Sequence, residues 1–269
     1  MGAETHGDRT AADEPTDGEA ILRTENVRKE FGNFAAIDDV TVSVERGEFR
    51  SIIGPNGAGK TTLFDLISGA LPVTGGAVYF DGEAITDLPP QERIRRGMAR
   101  SFQISNIFDG LTVRENVRLA AQALHCDEYG LREALFRPTD RYKGINADTD
   151  RILDRIGLAG AADEQAASLP YGDKRRLEIG VVLATEPELV LFDEPTAGMS
   201  PEETHNTIDL IEEVLVDQTL VLVEHDIELV MDLSDRITVL HRGEVLSEGT
   251  PDDIAADQDV RDAYLGGMT

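Results

Sequence analysis

The chain is 269 residues long, with 52 acidic and 25 basic residues and a net charge of −27. That balance repels nucleic acid at long range, and the single cysteine, Cys126, rules out an internal disulfide or a multi-cysteine zinc site. No apolar run approaches the roughly 18 residues of a membrane span, and the start lacks the pattern of a signal peptide, so the expectation is a cytosolic globular protein.

Lysine is scarce: Lys29, Lys60, Lys143 and Lys174 are the only ones, and arginine supplies the other basic residues. An acidic, lysine-poor surface resembles that of proteins from salt-loving archaea, where counter-ions screen the charge.

In chain order, Met1 to Glu19 is polar and acidic and reads as a disordered tail. From Ala20 the pattern changes. Ile21 to Thr24, Val27 and Val40 to Val44 alternate like half-buried strands. Phe31 sits between them; an exposed aromatic there stacks on a base, and ordinary core packing is the equal alternative. Phe49 to Ile53 reads as a strand, followed by Gly54-Pro55-Asn56-Gly57-Ala58-Gly59-Lys60-Thr61-Thr62 and then the amphipathic run Leu63 to Ile67. Strand, glycine loop and helix is the context that the pattern G-x-x-x-x-G-K-[ST] requires. Its glycines let backbone N–H groups converge on a triphosphate, with the positive end of the helix dipole behind them. Lys60 reaches the β- and γ-phosphates, and the Thr61 hydroxyl meets Mg²⁺.

Further on, Ala77 to Phe80 reads as a strand closed into a hairpin by Asp81-Gly82. A short helix follows from Leu88-Pro89-Pro90 to Arg95, and Met98 to Phe102 forms a strand ending on Gln103. From Val113 to about Ala184 the pattern is helical, interrupted by an irregular insertion from His125 to Asp148. Leu189 to Phe192 and Leu220 to Val223 are continuous apolar runs of the buried-strand type. Ile237 to Leu240 and Glu244 to Leu246 flank a turn at Arg242-Gly243, and Asp252 to Leu265 looks helical. The alternation argues a parallel sheet covered on both faces, with an antiparallel piece near the N-terminus.

Chemistry-bearing residues fall at strand ends. Asp193 ends one buried run and suits the Mg²⁺ shell beside Thr61; Glu194, next to it, polarises an attacking water. Gln103 reaches the metal or that water from its own loop, and His225, one strand further on, faces the γ-phosphate. Ser168 to Ile179 contains Gly172, which permits a phosphate to approach a helix N-terminus; as pattern alone it is an ordinary helix start.

Taken together, the loop at Gly54 to Thr62, Gln103, the stretch Leu169 to Asp173, the strand Leu189 to Asp193, Glu194, the loop from Ala197 to Pro201, and His225 resemble the ATP-binding subunit of ABC transporters. The finer resemblance is to the branched-chain amino acid import ATPases. It rests on Tyr171 to Ile179, Ser101-Phe102-Gln103, Leu111 to Asn116 and the terminal Asp259 to Gly266. This implies an α/β P-loop NTPase (RecA-like) core of parallel sheet, with an N-terminal antiparallel β subdomain and an inserted α-helical subdomain. The ATP-binding domain would span 20–254, the helical insertion about 104–184, and a C-terminal helix or tail 255–269. The resemblance implies ATP and Mg²⁺, with Thr61, Gln103 and Asp193 around the metal and Phe31 stacked on adenine. It implies a head-to-tail dimer, homo- or heteromeric, with Tyr171, Gly172 and Asp173 contacting ATP in trans. It also implies transmembrane permease subunits, indirectly a solute-binding protein outside the membrane, and a place on the membrane's cytoplasmic face. Two positions depart from the family pattern: Pro170 stands where a serine is usual, and Ser200 where Asp or Asn is common. A transporter of urea or amides, or an ABC ATPase acting on DNA or ribosomes, is the alternative; a P-loop kinase or GTPase is disfavoured by the signature and His225.

Overall fold

The computed structural model describes residues 20–101, 107–124 and 143–265. The expected acidic tail at 1–19 lies outside them, as do Phe102, Gln103 and residues 266–269. Two sheets form. Strands β1 (Ala20–Phe31) and β2 (Phe34–Glu45) pair antiparallel across a two-residue turn, and β4 (Gly75–Phe80) and β5 (Glu83–Ala84) extend them in the order β2-β1-β4-β5. The second sheet is built on β3 (Phe49–Ile53), β6 (Met98–Ser101), β7 (Leu189–Asp193), β8 (Thr219–Val223), β9 (Arg236–His241) and β10 (Glu244–Gly249), in the order β10-β9-β3-β8-β7-β6. All its pairs are parallel except β10 with β9, a hairpin at the edge.

The strand sequences explain this arrangement. Every residue of β7 and β8 is buried, which requires cover on both faces. One face packs on α1 (Lys60–Ser68) and the antiparallel sheet through Leu63, Phe64, Leu66, Leu189, Leu191 and Val221. The other face, through Val190, Phe192 and Leu222, packs against a helical layer. That layer holds α3 (Val113–Leu124), α4 (Lys143–Arg155), α5 (Tyr171–Leu183) and α6 (Pro201–Val214); a short α2 (Pro90–Arg95) precedes β6. The chain then forms α7 (Ile227–Leu233), α8 (Pro251–Ala256) and α9 (Gln258–Leu265).

Two elements differ from the sequence pattern. Helix α4 begins at Lys143, inside the stretch that reads as irregular; residues 125–142 lie outside the described residues. Gly144 marks the first turn of α4 rather than a break, because a glycine costs least at a helix end. The buried stripe Ile145, Thr149, Leu153 and Ile156 supplies the helical period. The C-terminal helical stretch is two helices, because Asp257 turns its carboxylate to the backbone N–H of Asp259 (2.8 Å) and Val260 (3.3 Å) and caps α9.

Arg93 of α2 is buried beneath the end of α1. Its guanidinium donates to the carbonyls of Leu66 (2.9 Å), Ile67 (2.5 Å), Thr86 (2.9 Å) and Leu88 (3.0 Å). Burial pulls its pKa down to about 10, which still leaves the cation charged at neutral pH. Arg93→Ala removes four hydrogen bonds to backbone carbonyls and opens a cavity, so the urea midpoint should drop by the equivalent of about 3 kcal/mol.

Candidate nucleotide site

The register of the parallel sheet brings three strand ends together. Ile52 of β3 pairs with Val223 of β8, and Val223 pairs with Asp193 of β7. Gly54, Asp193-Glu194 and Glu224-His225 therefore leave the sheet side by side, at the carboxyl edge where open parallel sheets bind ligands.

The loop at Gly54 is held from behind. A Cβ on Gly54 would collide with the Leu240 carbonyl, so β9 passes closely only because that atom is missing. Gly59, at φ 106°, takes a left-handed turn in which a Cβ would sit 2.7 Å from Ile37 Cδ1 and 2.8 Å from the Ala36 carbonyl. Gly243 N–H donates to the Ala58 carbonyl at 2.9 Å and Asp38 N–H to the Gly243 carbonyl at 2.8 Å, tying the loop to the β9–β10 turn and β2. Asn56, Gly57 and Thr61 remain exposed at the start of α1. Lys60 Nζ lies back along the loop and donates to the carbonyls of Gly54 (2.7 Å) and Pro55 (3.3 Å). Burial lowers its pKa, while the charges of Glu194 and Asp193 work to raise it. A cleft of about 340 Å³ is lined by residues 56–62, Glu194, His225, Phe34 and Ala36.

The two adjacent acids have different partners. Arg100 Nη2 holds Asp193 Oδ2 at 2.8 Å, while its Nη1 reaches Asp65 Oδ1 (2.5 Å) and Ser68 Oγ (3.1 Å) on α1. Glu194 has a left-handed backbone, φ 49°, uncommon for a side chain with a Cβ and costing on the order of 1 kcal/mol. Its N–H is fixed to the Val223 carbonyl at 2.9 Å, and its Oε1 lies 2.7 Å from His225 Nε2. The site pairs a hydroxyl, Thr61, with a carboxylate, Asp193: hard oxygen donors of the kind magnesium takes, beside a glycine loop shaped for phosphates. The residues fit the nucleotide and the metal on that donor chemistry.

The start of α5 is a separate feature. Pro170 precedes it in extended backbone (φ −56°, ψ 157°) with no side-chain cap. Tyr171 is 58% exposed, and Gly172 faces open space. Tyr171, Gly172 and Asp173 are not among the residues lining the loop cleft. Arg175, one turn along α5, donates to the Pro195 carbonyl at 2.8 Å and pairs with Glu178 at 2.6 Å. Ser200 is committed within its own chain: it caps α6 in a reciprocal pair with Glu203.

Of the residues selected by pattern, Asn56 to Thr62, Glu194 and His225 come together around one cleft, and Gly54, Pro55 and Asp193 adjoin it. Phe31 is 51% exposed at the end of β1, with Lys29 Nζ 5.2 Å from its ring centre, so it is not a core residue. Its hairpin partner Phe34 is 66% exposed and lines the cleft; nothing in the pattern of β2 sets it apart. Gln103 lies outside the described residues. Arg100, Glu224 and Tyr264 are also not singled out by sequence pattern, because each acts through a partner distant in the chain.

Tyr264 on α9 meets the Gly54 backbone N–H, and burial pushes the phenol up from 10.0 to about 12. The folded state therefore holds this proton more tightly than the unfolded chain. The stabilisation is complete below pH 10 and is lost as pH rises through 12, amounting to about 2 kcal/mol. Chemical denaturation of Tyr264→Phe between pH 9 and 12 should show a correspondingly shallower loss of stability than the parent.

Comparison with known proteins agrees with this geometry. Residues 37–197 match the ABC transporter family, and residues 244–268 match the branched-chain amino acid ATP-binding cassette transporter family. The chain is 39% identical over 251 residues to the high-affinity branched-chain amino acid transport ATP-binding protein LivG of Salmonella typhimurium, covering 91% of this chain and 98% of the relative. It is 38% identical over 250 residues to BraF of Pseudomonas aeruginosa, named for the same transport, with the same coverage. Among solved structures, the ADP conformation of MJ1267, an ATP-binding cassette of an ABC transporter, superposes with a TM-score of 0.78 at 32% identity, over 92% of this chain and 99% of that one. The dimeric post-hydrolysis state of the ATP-binding cassette MJ0796, bound to ADP and Pi, superposes with a TM-score of 0.67 at 27% identity, over 86% and 98%. A phosphate loop, a paired Glu194 and His225 at its mouth, and this likeness over nearly the whole folded length place the chain in the ABC transporter family, as one of its ATP-binding, ATP-hydrolysing subunits.

Proposed function

We propose that this ATPase energises an importer of branched-chain amino acids. The observation that carries the mechanism is the 2.7 Å contact between Glu194 Oε1 and His225 Nε2 at the mouth of the loop cleft. The loop N–H groups and Lys60 hold the β- and γ-phosphates, Lys60 leaving the Gly54 carbonyl for the stronger partner. Thr61 and Asp193 would hold Mg²⁺, and Gln103 would be the further candidate for the metal or the water. Bound there, magnesium would supply positive charge against the transferring phosphoryl oxygens. Arg100 keeps the Asp193 carboxylate turned to one side. Glu194 orients and polarises the attacking water, and His225 holds that carboxylate in place and faces the γ-phosphate. Phe31 stacks on adenine, with Phe34 beside it.

The exposed start of α5 has the chemistry of a second half-site. Tyr171, Gly172 and Asp173 of one subunit would close over the γ-phosphate held by the other; the similar cassette MJ0796 is dimeric with ADP and Pi bound. Pro170 supplies neither a hydroxyl nor an N–H there, so the helix N-terminus and Gly172 carry the contact and closure is weaker than with serine. No helix among the described residues is long and apolar enough to cross a membrane. Permease subunits at the cytoplasmic face would provide the spans, and a solute-binding protein would choose the cargo. The substrate class rests on LivG and BraF and on the match at 244–268.

Co-purification from solubilised membranes should recover multi-span permease chains, and leucine, isoleucine or valine, with their binding protein, should stimulate turnover. Recovery without any permease would remove the importer reading, and stimulation by urea or amides alone would replace the cargo. In the same preparation Glu194→Gln should bind ATP normally but lose at least about a hundredfold in kcat. The charge of −27 also fits a salt-adapted protein. Its melting temperature should rise on going from low salt to molar potassium chloride as repulsion is screened.

A further inference from the structure

Glu224 stands between the last residue of β8 and His225. It is 4% exposed, and a buried carboxylate is costly unless donors surround it. Its donors come from both loops that face the cleft. Oε1 accepts from the Thr196 N–H at 3.0 Å and the Thr196 hydroxyl at 2.6 Å; Oε2 accepts from the His225 N–H at 3.1 Å. Thr196, 8% exposed, lies two residues beyond Glu194 on the segment that runs on to Ser200.

We propose that Glu224 is a positioning residue for ATP hydrolysis, a staple that makes the Glu194 loop and the His225 loop move as one piece. The inference rests on the reading that Glu194 and His225 act together on the water and the γ-phosphate. Sheet pairing ends with Asp193 opposite Val223 and with the Glu194 N–H on the Val223 carbonyl. Past that point the two chains part, and the Glu224 carboxylate bridges them. Glu194 leaves the strand in a left-handed turn, so a fixed Thr196 determines where the turn exits and where the Glu194 carboxylate points. The same bond fixes the start of the loop through Ala197 to Ser200, which in the proposed dimer faces the second subunit. Closure of the dimer and alignment of the water are then one event. A carboxylate suits the task because both oxygens accept. The amide of Gln accepts on one side only and turns its NH₂ toward a donor on the other.

The test uses the full-length chain and measures kcat, KM for ATP and melting temperature for Glu224→Gln, Thr196→Val, Thr196→Ser and Glu224→Gln/Thr196→Val, with Glu194→Gln beside them. Small errors of alignment cost steeply in rate, so Glu224→Gln should lower kcat by about tenfold to a hundredfold while KM stays within about twofold. Thr196→Ser, which keeps the hydroxyl, should retain more of the rate than Thr196→Val. The double variant should be little slower than Glu224→Gln alone, because both changes break the same bridge between the two loops. If Glu224→Gln does not fold, the Ser and Val variants at 196 still decide. Wild-type kcat in Glu224→Gln, equal rates for Ser and Val at 196, or additive losses in the double variant overturn the staple. So does a fall in kcat that only tracks a fall in melting temperature. Normal turnover in Glu194→Gln would instead overturn the underlying reading and the staple with it, whereas an inactive Glu194→Gln beside a fully active Glu224→Gln removes the staple alone.

Discussion

A phosphate cradle needs backbone N–H groups aimed at one point with no side chain in the way, and here that demand rests on two missing methyl positions. Without a Cβ at Gly54, β9 can run close behind the loop; without one at Gly59, β2 can close over it. The loop becomes a meeting point for segments far apart in sequence. The β9–β10 turn bonds to Ala58, β2 bonds to that turn, and Tyr264 of α9 lies against the Gly54 backbone. The conformation is set by the whole fold, so the amides toward the ligand are arranged before it arrives, and little ordering remains to oppose binding.

Electrostatics then divides the work among similar groups. Asp193 and Glu194 are neighbours at one strand end, yet an arginine holds the first and a histidine faces the second. The first is held against Arg100, which in turn ties it to Asp65 on α1. The second hangs from a strained backbone position and faces the open cleft. Two neighbouring carboxylates gain separate surroundings, which is how, in the proposed mechanism, one strand end would serve both a metal and a water.

Much of this was legible in the residues themselves. The loop pattern with its flanking strand and helix, and the acidic pair ending a buried run, are local signals, and the structure brings them to one edge of the sheet. The order β10-β9-β3-β8-β7-β6 is not local, since β3 lies between strands that follow it by more than 160 residues, and only packing decides it. Arg100 looks like an ordinary strand residue until Asp65 and Asp193 are seen beside it. Glu224 looks like surface charge in a chain with 52 acids until its burial is known. The early start of α4 escaped for a related reason: Gly144 reads as a breaker until the stripe from Ile145 to Ile156 is seen to be buried. Pattern finds groups that act on a ligand directly; it passes over groups that act through a neighbour.

The hairpin carrying Phe31 and Phe34 has one more consequence. Both rings stand largely in water, opposite each other across a two-residue turn, and the chain contains no tryptophan. Its near-ultraviolet emission is therefore dark against a single indole. A tryptophan in place of Phe34 would be the sole long-wavelength fluorophore in the molecule, set at the rim of the cleft. Filling of the site could then be followed optically, in real time and without a label.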